Sequence, residues 1–202
     1  MELMEDAIMV FYIIDYNYKY KEIELAEATD WVGIKCPVYD GHQRAGDRIG
    51  DLKINLNTDK VTDFMQTFFT EWILNDRAVE ILKDNNITGF ETRPVEVCNK
   101  ELSYHFWELI VKGNGGEAHP DSGIYLKEEC PYCNLKIYSA YENGIIVNVD
   151  NWDKSDIFTI TGYPGRVIVT EKVKRLVEEN RLTGMQFIPS HKLVWSEYVV
   201  KL

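Results

Sequence analysis

The sequence contains only four cysteines among its 202 residues, which is too few to suggest a disulfide framework. It also lacks any apolar run that approaches the roughly 20 residues needed to span a membrane. Positive charge is scarce, because 22 lysines and arginines stand against 33 aspartates and glutamates, giving a net charge of -11. Nucleic acids and anionic lipids are bound through Lys and Arg, so this balance argues against both and favours a basic protein partner.

The first residues lack the positive charge of a secretory signal peptide, since Glu2, Glu5 and Asp6 occupy this stretch. The sequence therefore predicts a cytoplasmic protein, in which cysteines stay reduced. Apolar residues make up 45% of the chain, which is enough to predict an ordinary globular core rather than disorder.

Motifs typical of enzymes are missing as well. There is no GxSxG elbow and no HExxH helix motif, and no phosphate-binding Lys-Ser/Thr follows the glycine-rich stretch 113–116. The sequence thus predicts a protein without enzymatic activity. The alternative is an enzyme whose site lies near Cys130, His119 and Asp121.

What the sequence does contain is an internal match. Residues 73–95 align without a gap to residues 168–190, and the match continues upstream at a slightly shorter offset until Cys36 meets Cys130. A collinear series of this kind predicts an ancient duplication. The two halves are expected to cover residues 1–100 and 101–202.

Each copy predicts a strand–helix–strand unit. The helix follows a polar capping residue, Asn75 or Thr170, it carries apolar residues at helical spacing, and a Thr-Gly pair at Gly89 or Gly184 ends it. Antiparallel hairpins are expected to contribute further strands, at 12–20, 54–56, 106–111 and 144–149. The mixture predicts an α+β fold in which two similar halves pack together.

The cysteines suggest a metal site. Cys130 and Cys133 form a CxxC, whose spacing lets two thiolates reach one metal ion from a tight turn. In the matching segment Cys36 is retained, and Tyr39 occupies the place of the second cysteine. We predict a structural zinc site formed by Cys36, Cys130, Cys133 and a fourth ligand. His119 is the first candidate for that ligand, with His42 or Asp40 as alternatives. The other interpretations are a redox CxxC, or reduced cysteines in a turn.

A second candidate site lies near the beginning of the chain. Tyr16, Tyr18 and Tyr20 alternate along a predicted strand and would share one face of it. Such a row is expected either to stabilise the sheet as an aromatic ladder or to contact a protein partner, since tyrosine is favoured at binding hot spots.

The chain resembles the double-CXXCG motif family and related immunity proteins of bacterial polymorphic toxin systems. Four segments carry the resemblance: CPVYDG (36–41), HPDSG followed by CPYC (119–133), DIF (156–158) and GRVIVTEKVKRLVEENRLTGMQFIP (165–189). The resemblance implies a small cytoplasmic protein that binds and neutralises a cognate protein toxin, without enzymatic activity. The chain departs from the name-giving pattern at Tyr39, and at Asn134, where a glycine belongs. A zinc-stabilised structural or adaptor module is the alternative.

Overall fold

The computed structural model describes residues 9–17, 19–20, 23–27, 29–58, 60–68 and 71–195. These residues form the mixed α+β fold that the sequence predicts, with two helices and several sheets. Sheet I has six strands, in the spatial order β2 (Glu24–Leu25), β5 (Leu52–Asn55), β8 (Phe90–Val97), β9 (Phe106–Val111), β7 (Trp72–Asn75) and β6 (Phe64–Gln66). Sheet II has five, in the order β10 (Gly113–Asn114), β13 (Ile157–Ile160), β14 (Tyr163–Thr170), β1 (Phe11–Tyr16) and β15 (Met185–Pro189).

Two antiparallel ribbons complete the strands. The first ribbon pairs β3 (Asp30–Ile34) with β4 (Arg44–Ile49), and the second pairs β11 (Leu126–Glu129) with β12 (Lys136–Tyr138). A ribbon of two strands is marginally stable by itself in water. Something beyond strand pairing must therefore hold each ribbon in place.

Both predicted helices are present, as α1 (Asp76–Asp84) and α2 (Glu171–Glu179). The predicted cap at Asn75 is confirmed, because its side chain accepts a hydrogen bond from the backbone N–H of Ala78. Thr170 also occupies the predicted N-cap position of α2, but it does not make the expected capping hydrogen bond, since its hydroxyl donates instead to Asp156 at 3.0 Å. The Thr-Gly pairs also do not end the helices, which stop at their Asn85 and Asn180 C-caps.

The strand predictions hold in part. The strand predicted at 106–111 is β9, and the one predicted at 54–56 overlaps β5. The strand predicted over 12–20 ends at Tyr16, and 144–149 forms no strand at all. That last segment instead packs Ile145 and Val147 against sheet II as an irregular cover. Burial alone, without strand pairing, satisfies its apolar pattern.

Each large sheet contains one strand from the other predicted half. Strand β9 lies between β7 and β8 in sheet I, although it belongs to residues 101–202. Strand β1 lies between β14 and β15 in sheet II, although it belongs to residues 1–100. Removing either half would therefore leave a gap in the middle of the opposite sheet.

Both helices pack into one shared core with a face of each large sheet. The core cluster joins Leu82 of α1 and Val177 of α2 to Leu74 of β7 and Val169 of β14. Alternate strand residues point to the other side of each sheet, where two further clusters lie. Neither α1 nor α2 combines the length and apolar character that a membrane-crossing helix needs.

Two buried carboxylates connect the halves reciprocally. Asp63 accepts hydrogen bonds from the backbone N–H and the hydroxyl of Thr183, at 2.8 and 2.9 Å. Asp156 accepts the same two bonds from Thr88, at 3.1 and 3.2 Å. We call these two contacts the Asp–Thr latches.

A cation supports each latch. Arg77 lies 2.9 Å from the carboxylate of Asp63 and also donates to the carbonyl of Asn180. Lys172 lies 3.0 Å from the carboxylate of Asp156 and also donates to the carbonyl of Asn86. Each cation thus contacts the aspartate of one latch and the C-terminal end of the opposite helix.

The latches explain the glycines that follow Thr88 and Thr183. Gly89 and Gly184 both have positive φ, at 85° and 103°, a region that other L-residues rarely adopt. A Cβ at Gly89 would collide with the carbonyl oxygen of Ile157, and one at Gly184 with that of Phe64. Only glycine lets the chain approach the opposite half this closely.

Candidate metal centre

The two ribbons bring the cysteines together at their connecting loops. Cys36 follows β3, and a short 3-10 helix, Asp40–His42, leads from it toward β4. Cys130 and Cys133 lie in the tight turn between β11 and β12, which closes when Asn134 N–H donates to the carbonyl of Cys130 at 2.9 Å. Asn134 has φ of 55°. Asparagine tolerates this left-handed region better than most residues, so it suits this position of the turn.

Four potential ligand atoms converge there. The ligand atoms of Cys36, His42, Cys130 and Cys133 all lie within 4.8 Å of one another. The Sγ atoms of Cys36 and Cys130 are 3.9 Å apart, and Cys133 Sγ lies 3.7 Å from His42 Nδ1. A tetrahedral ion with bonds of ~2.3 Å to sulfur and ~2.0 Å to nitrogen would separate such pairs by roughly 3.8 and 3.6 Å. These two distances match such a site, and the cluster as a whole is compatible with a bound metal ion.

Hydrogen bonds from the chain surround the sulfur atoms. The backbone N–H of Tyr39 donates to Cys36 Sγ at 3.4 Å. Arg44, on β4, donates to Cys133 Sγ at 3.6 Å and to the Cys133 carbonyl at 2.8 Å. Such outer contacts orient ligands and tune the charge on sulfur.

These contacts favour the thiolate at one position. Burial opposes ionisation of Cys133, but the Arg44 guanidinium, the Leu135 backbone N–H and His42 together lower its pKa to about 6. At Cys130 burial dominates and raises the pKa of the thiol. The thiolate is the form that binds metal, so Cys133 is the cysteine best prepared to do so at neutral pH.

The structure brings together three of the four predicted ligands and replaces the fourth. Cys36, Cys130 and Cys133 meet as predicted, but His42 completes the cluster and His119 does not. His119 instead accepts a hydrogen bond through Nδ1 from the backbone N–H of Asp121, at 3.3 Å. Asp40, the other alternative, is exposed and lies outside the cluster.

The signal for His42 is present in the sequence but weak. His42 follows Cys36 by six residues, not the three that separate Cys130 from Cys133, so the repeat pointed to Tyr39 and not to His42. The 3-10 turn over Asp40–His42 brings the imidazole back toward Cys36. Spacing alone does not predict that turn.

The structure does not place the three tyrosines of the predicted row in one common environment. Tyr16 is only 1% exposed and belongs to the shared core, so its ring packs against the protein's own interior. Tyr20 is partly buried against the same cluster. Tyr18 lies outside the described residues. The proposed partner face at these positions is therefore not a continuous exposed row.

No family model matches the chain, and no curated protein matches it.

Proposed function

We propose that this protein is a zinc-stabilised binding protein without enzymatic activity, and that its partner is a cognate bacterial toxin. The observation that carries the first part is the convergence of Cys36, His42, Cys130 and Cys133. Three sulfurs and one imidazole nitrogen form a donor set that suits zinc, which is usually held by four such ligands at structural sites. We infer one zinc ion per chain.

A structural role for this ion is favoured over a catalytic one. Catalytic zinc is typically held by three protein ligands and keeps a fourth position open for water or substrate. Here four side chains are available, so no position is left for chemistry. Cys36 and Cys130 are also buried, which argues against a reactive thiol at either position. The enzyme alternative near Cys130 and His119 loses its main support.

The ion would connect segments that are remote in sequence. Cys36 and His42 come from the first ribbon, Cys130 and Cys133 from the second, and each ribbon alone is marginal. Because the binding free energy of a structural zinc ion contributes directly to folding, the ion would fix both ribbons in one geometry.

Substitution of the histidines tests the ligand assignment. We expect His42→Ala to lower zinc affinity by more than ~100-fold, because even outer-shell changes cost 10- to 100-fold. The matched control is His119→Ala, which should keep one zinc ion per chain. Competition with a chromophoric chelator measures the affinity, and elemental analysis measures the content. Loss of zinc from His119→Ala with retention in His42→Ala would reverse the assignment.

The toxin partner is supported by two further features. The segment 165–189 resembles immunity proteins of polymorphic toxin systems, and the chain's charge of -11 suits a basic partner. Such a protein would act in the cytoplasm as a stoichiometric inhibitor that masks the toxin's active site or blocks its folding. A zinc-stabilised adaptor module shares the metal site, so zinc binding alone does not separate the two functions.

Protection of cells separates them. We expect a secreted toxin to be encoded beside this chain, and we expect co-expression of this chain to rescue growth of bacteria that produce the C-terminal domain of that toxin. The purified proteins should form a one-to-one complex in the nanomolar range, as high-affinity inhibitors do. Complex formation without protection would favour the adaptor module. Neither binding nor protection would reject the immunity role.

We also infer that the two halves descend from one duplicated unit. Strands β1 and β9 have equal length and start 95 residues apart, as do helices α1 and α2. The Asp–Thr latches and the exchanged strands repeat the same relation in both directions. This arrangement is what a two-fold symmetric dimer would leave after fusion into one chain.

A further inference from the structure

We propose that the zinc-bound ends of the two ribbons form the docking surface for the toxin; this inference rests on the proposed function. We define the tip as residues 36–42 and 130–133, the two loops that carry the metal ligands. The tip combines exposed aromatic and aliphatic side chains with a rigid support, which are the two properties that a binding hot spot requires.

The exposed side chains of the tip lie between its ligands. Val38 and Tyr39 separate Cys36 from His42 and are 51% and 50% exposed, and Tyr132 separates Cys130 from Cys133 and is 59% exposed. Because the ligand atoms lie within 4.8 Å of one another, these three exposed side chains lie on two loops that meet at the metal ligands. The tip exists as one surface only when both loops are held together.

The surrounding ribbons extend this surface. Seven of the fourteen exposed large apolar side chains among the described residues lie on residues 30–49 and 126–138: Val32, Val38, Tyr39, Ile49, Leu126, Tyr132 and Ile137. Strand β4 alternates half-buried and exposed residues along its length, so one side of the first ribbon faces solvent. Exposed apolar residues gathered in this way typically mark an interaction site.

Both ends of the first ribbon are fixed. At the base, Arg48 of β4 forms a bidentate salt bridge with Glu108 of β9, and both side chains are almost fully buried. At the far end, the metal ligands and Arg44 hold the loop. A surface fixed at both ends loses little conformational entropy when a partner binds.

Charge identifies the kind of partner. On residues 30–49 and 126–138 the exposed charged residues are five carboxylates, Asp30, Asp40, Asp47, Glu128 and Glu129, and three lysines, Lys35, Lys127 and Lys136. A zinc ion with three thiolates adds one more negative charge. A second copy of this chain, also at -11, and an anionic membrane would both be repelled. A protein with an apolar centre and a basic rim complements the tip.

The test uses the full-length, zinc-loaded protein and the C-terminal domain of the secreted protein encoded beside it as the probe. We expect Tyr39→Ser and Tyr132→Ser each to weaken the dissociation constant by ~10-fold or more, mostly through faster dissociation. The matched control is Phe68→Ser, since Phe68 is 74% exposed and follows β6, an edge strand of sheet I, outside both ribbons; it should change affinity less than ~2-fold. Zinc content and unfolding midpoint, measured on each variant, show that the fold is intact.

A charge variant gives an independent readout. Asp40→Lys should slow association and reduce its dependence on salt, because exposed rim charges act mainly on the association rate.

The outcomes separate the two proposals. If the wild type binds the probe and both tyrosine variants bind it with unchanged affinity, the tip is not the docking surface, whereas the immunity role still stands. Absence of wild-type binding would overturn both proposals. If the wild type self-associates and Tyr132→Ser abolishes this self-association, the tip binds a second copy of the chain and not the toxin.

Discussion

Replacing Asp63 by alanine is expected to lower the unfolding midpoint by roughly 5–15 °C, the shift that about 2–4 kcal/mol produces in a chain of this size. The carboxylate is buried and accepts bonds from Thr183, Asn75 and Arg77. Its loss would leave the N–H and the hydroxyl of Thr183 without this acceptor, and it would release the second half from the first. Asp156→Ala should show a similar loss, because it removes the reciprocal latch.

Thermal and urea unfolding of both variants checks this expectation. The control is Asp150→Ala, at an exposed carboxylate, which should change stability by less than about 0.5 kcal/mol. If the two latches act on one interface, the double variant should depart from additivity. Two unfolding steps in either single variant would support independent halves. Wild-type stability in both would contradict the latch account.

Acid should weaken the Asp63 latch. Burial raises the pKa of Asp63, but the bonds from Thr183, Arg77 and Asn75 outweigh it and lower the pKa below its ordinary value. A carboxyl whose pKa is lowered by folding stabilises the protein above the unfolded pKa of ~3.9 and loses that contribution as pH falls toward the folded value. The Asp63→Asn variant should therefore lose less stability than the wild type between pH 5 and 3.

Replacing Glu108 by alanine is the second change with a large expected effect. Arg48 and Glu108 are 6% and 7% exposed at their side chains, and the guanidinium also lies 5.7 Å from the Trp31 ring centroid. Removing the carboxylate leaves a buried, uncompensated positive charge, which typically costs 3–5 kcal/mol. The base of the first ribbon should separate from sheet I, and zinc affinity should fall with it.

Two comparisons make the Glu108 result interpretable. Glu91→Ala breaks the exposed pair with Lys112 and should cost less than ~1 kcal/mol. The double change Arg48→Met with Glu108→Leu should recover much of the loss, because a well-packed apolar pair can replace a buried ion pair. Equal stability of Glu108→Ala and Glu91→Ala, measured by urea unfolding, would contradict the anchoring role.

The sequence predicts local structure well and non-local pairing poorly. Helices α1 and α2 could be predicted because their apolar spacing and first-turn acids are local signals. The exchange of β1 and β9 between the halves could not be predicted. Both segments are recognisable as apolar strands, but the sequence does not show which sheet each strand joins. The capping hydrogen bond expected from Thr170 is absent for a related reason. Its hydroxyl had a competing acceptor, Asp156, 14 residues away along the chain.

The candidate site shows the same division. Three cysteines could be predicted from the CxxC and its repeat, because both are sequence patterns. The choice of His42 over His119 depends on a 3-10 turn and on how two separate ribbons meet. Neither feature follows from spacing. Of the two interpretations of the tyrosine row, contact with a partner is not supported at Tyr16, which lies in the core. Alternation gives the side of a strand that a residue faces but not what covers that side.

The proposed zinc site connects the main proposals, since the ion would organise both ribbons and the tip. X-ray absorption at the zinc edge, on purified full-length protein with its zinc content measured, tests it most directly. We expect one zinc ion per chain, with three sulfur ligands at ~2.3 Å and one nitrogen ligand at ~2.0 Å. Substoichiometric zinc, or a spectrum with only oxygen and nitrogen ligands, would contradict it.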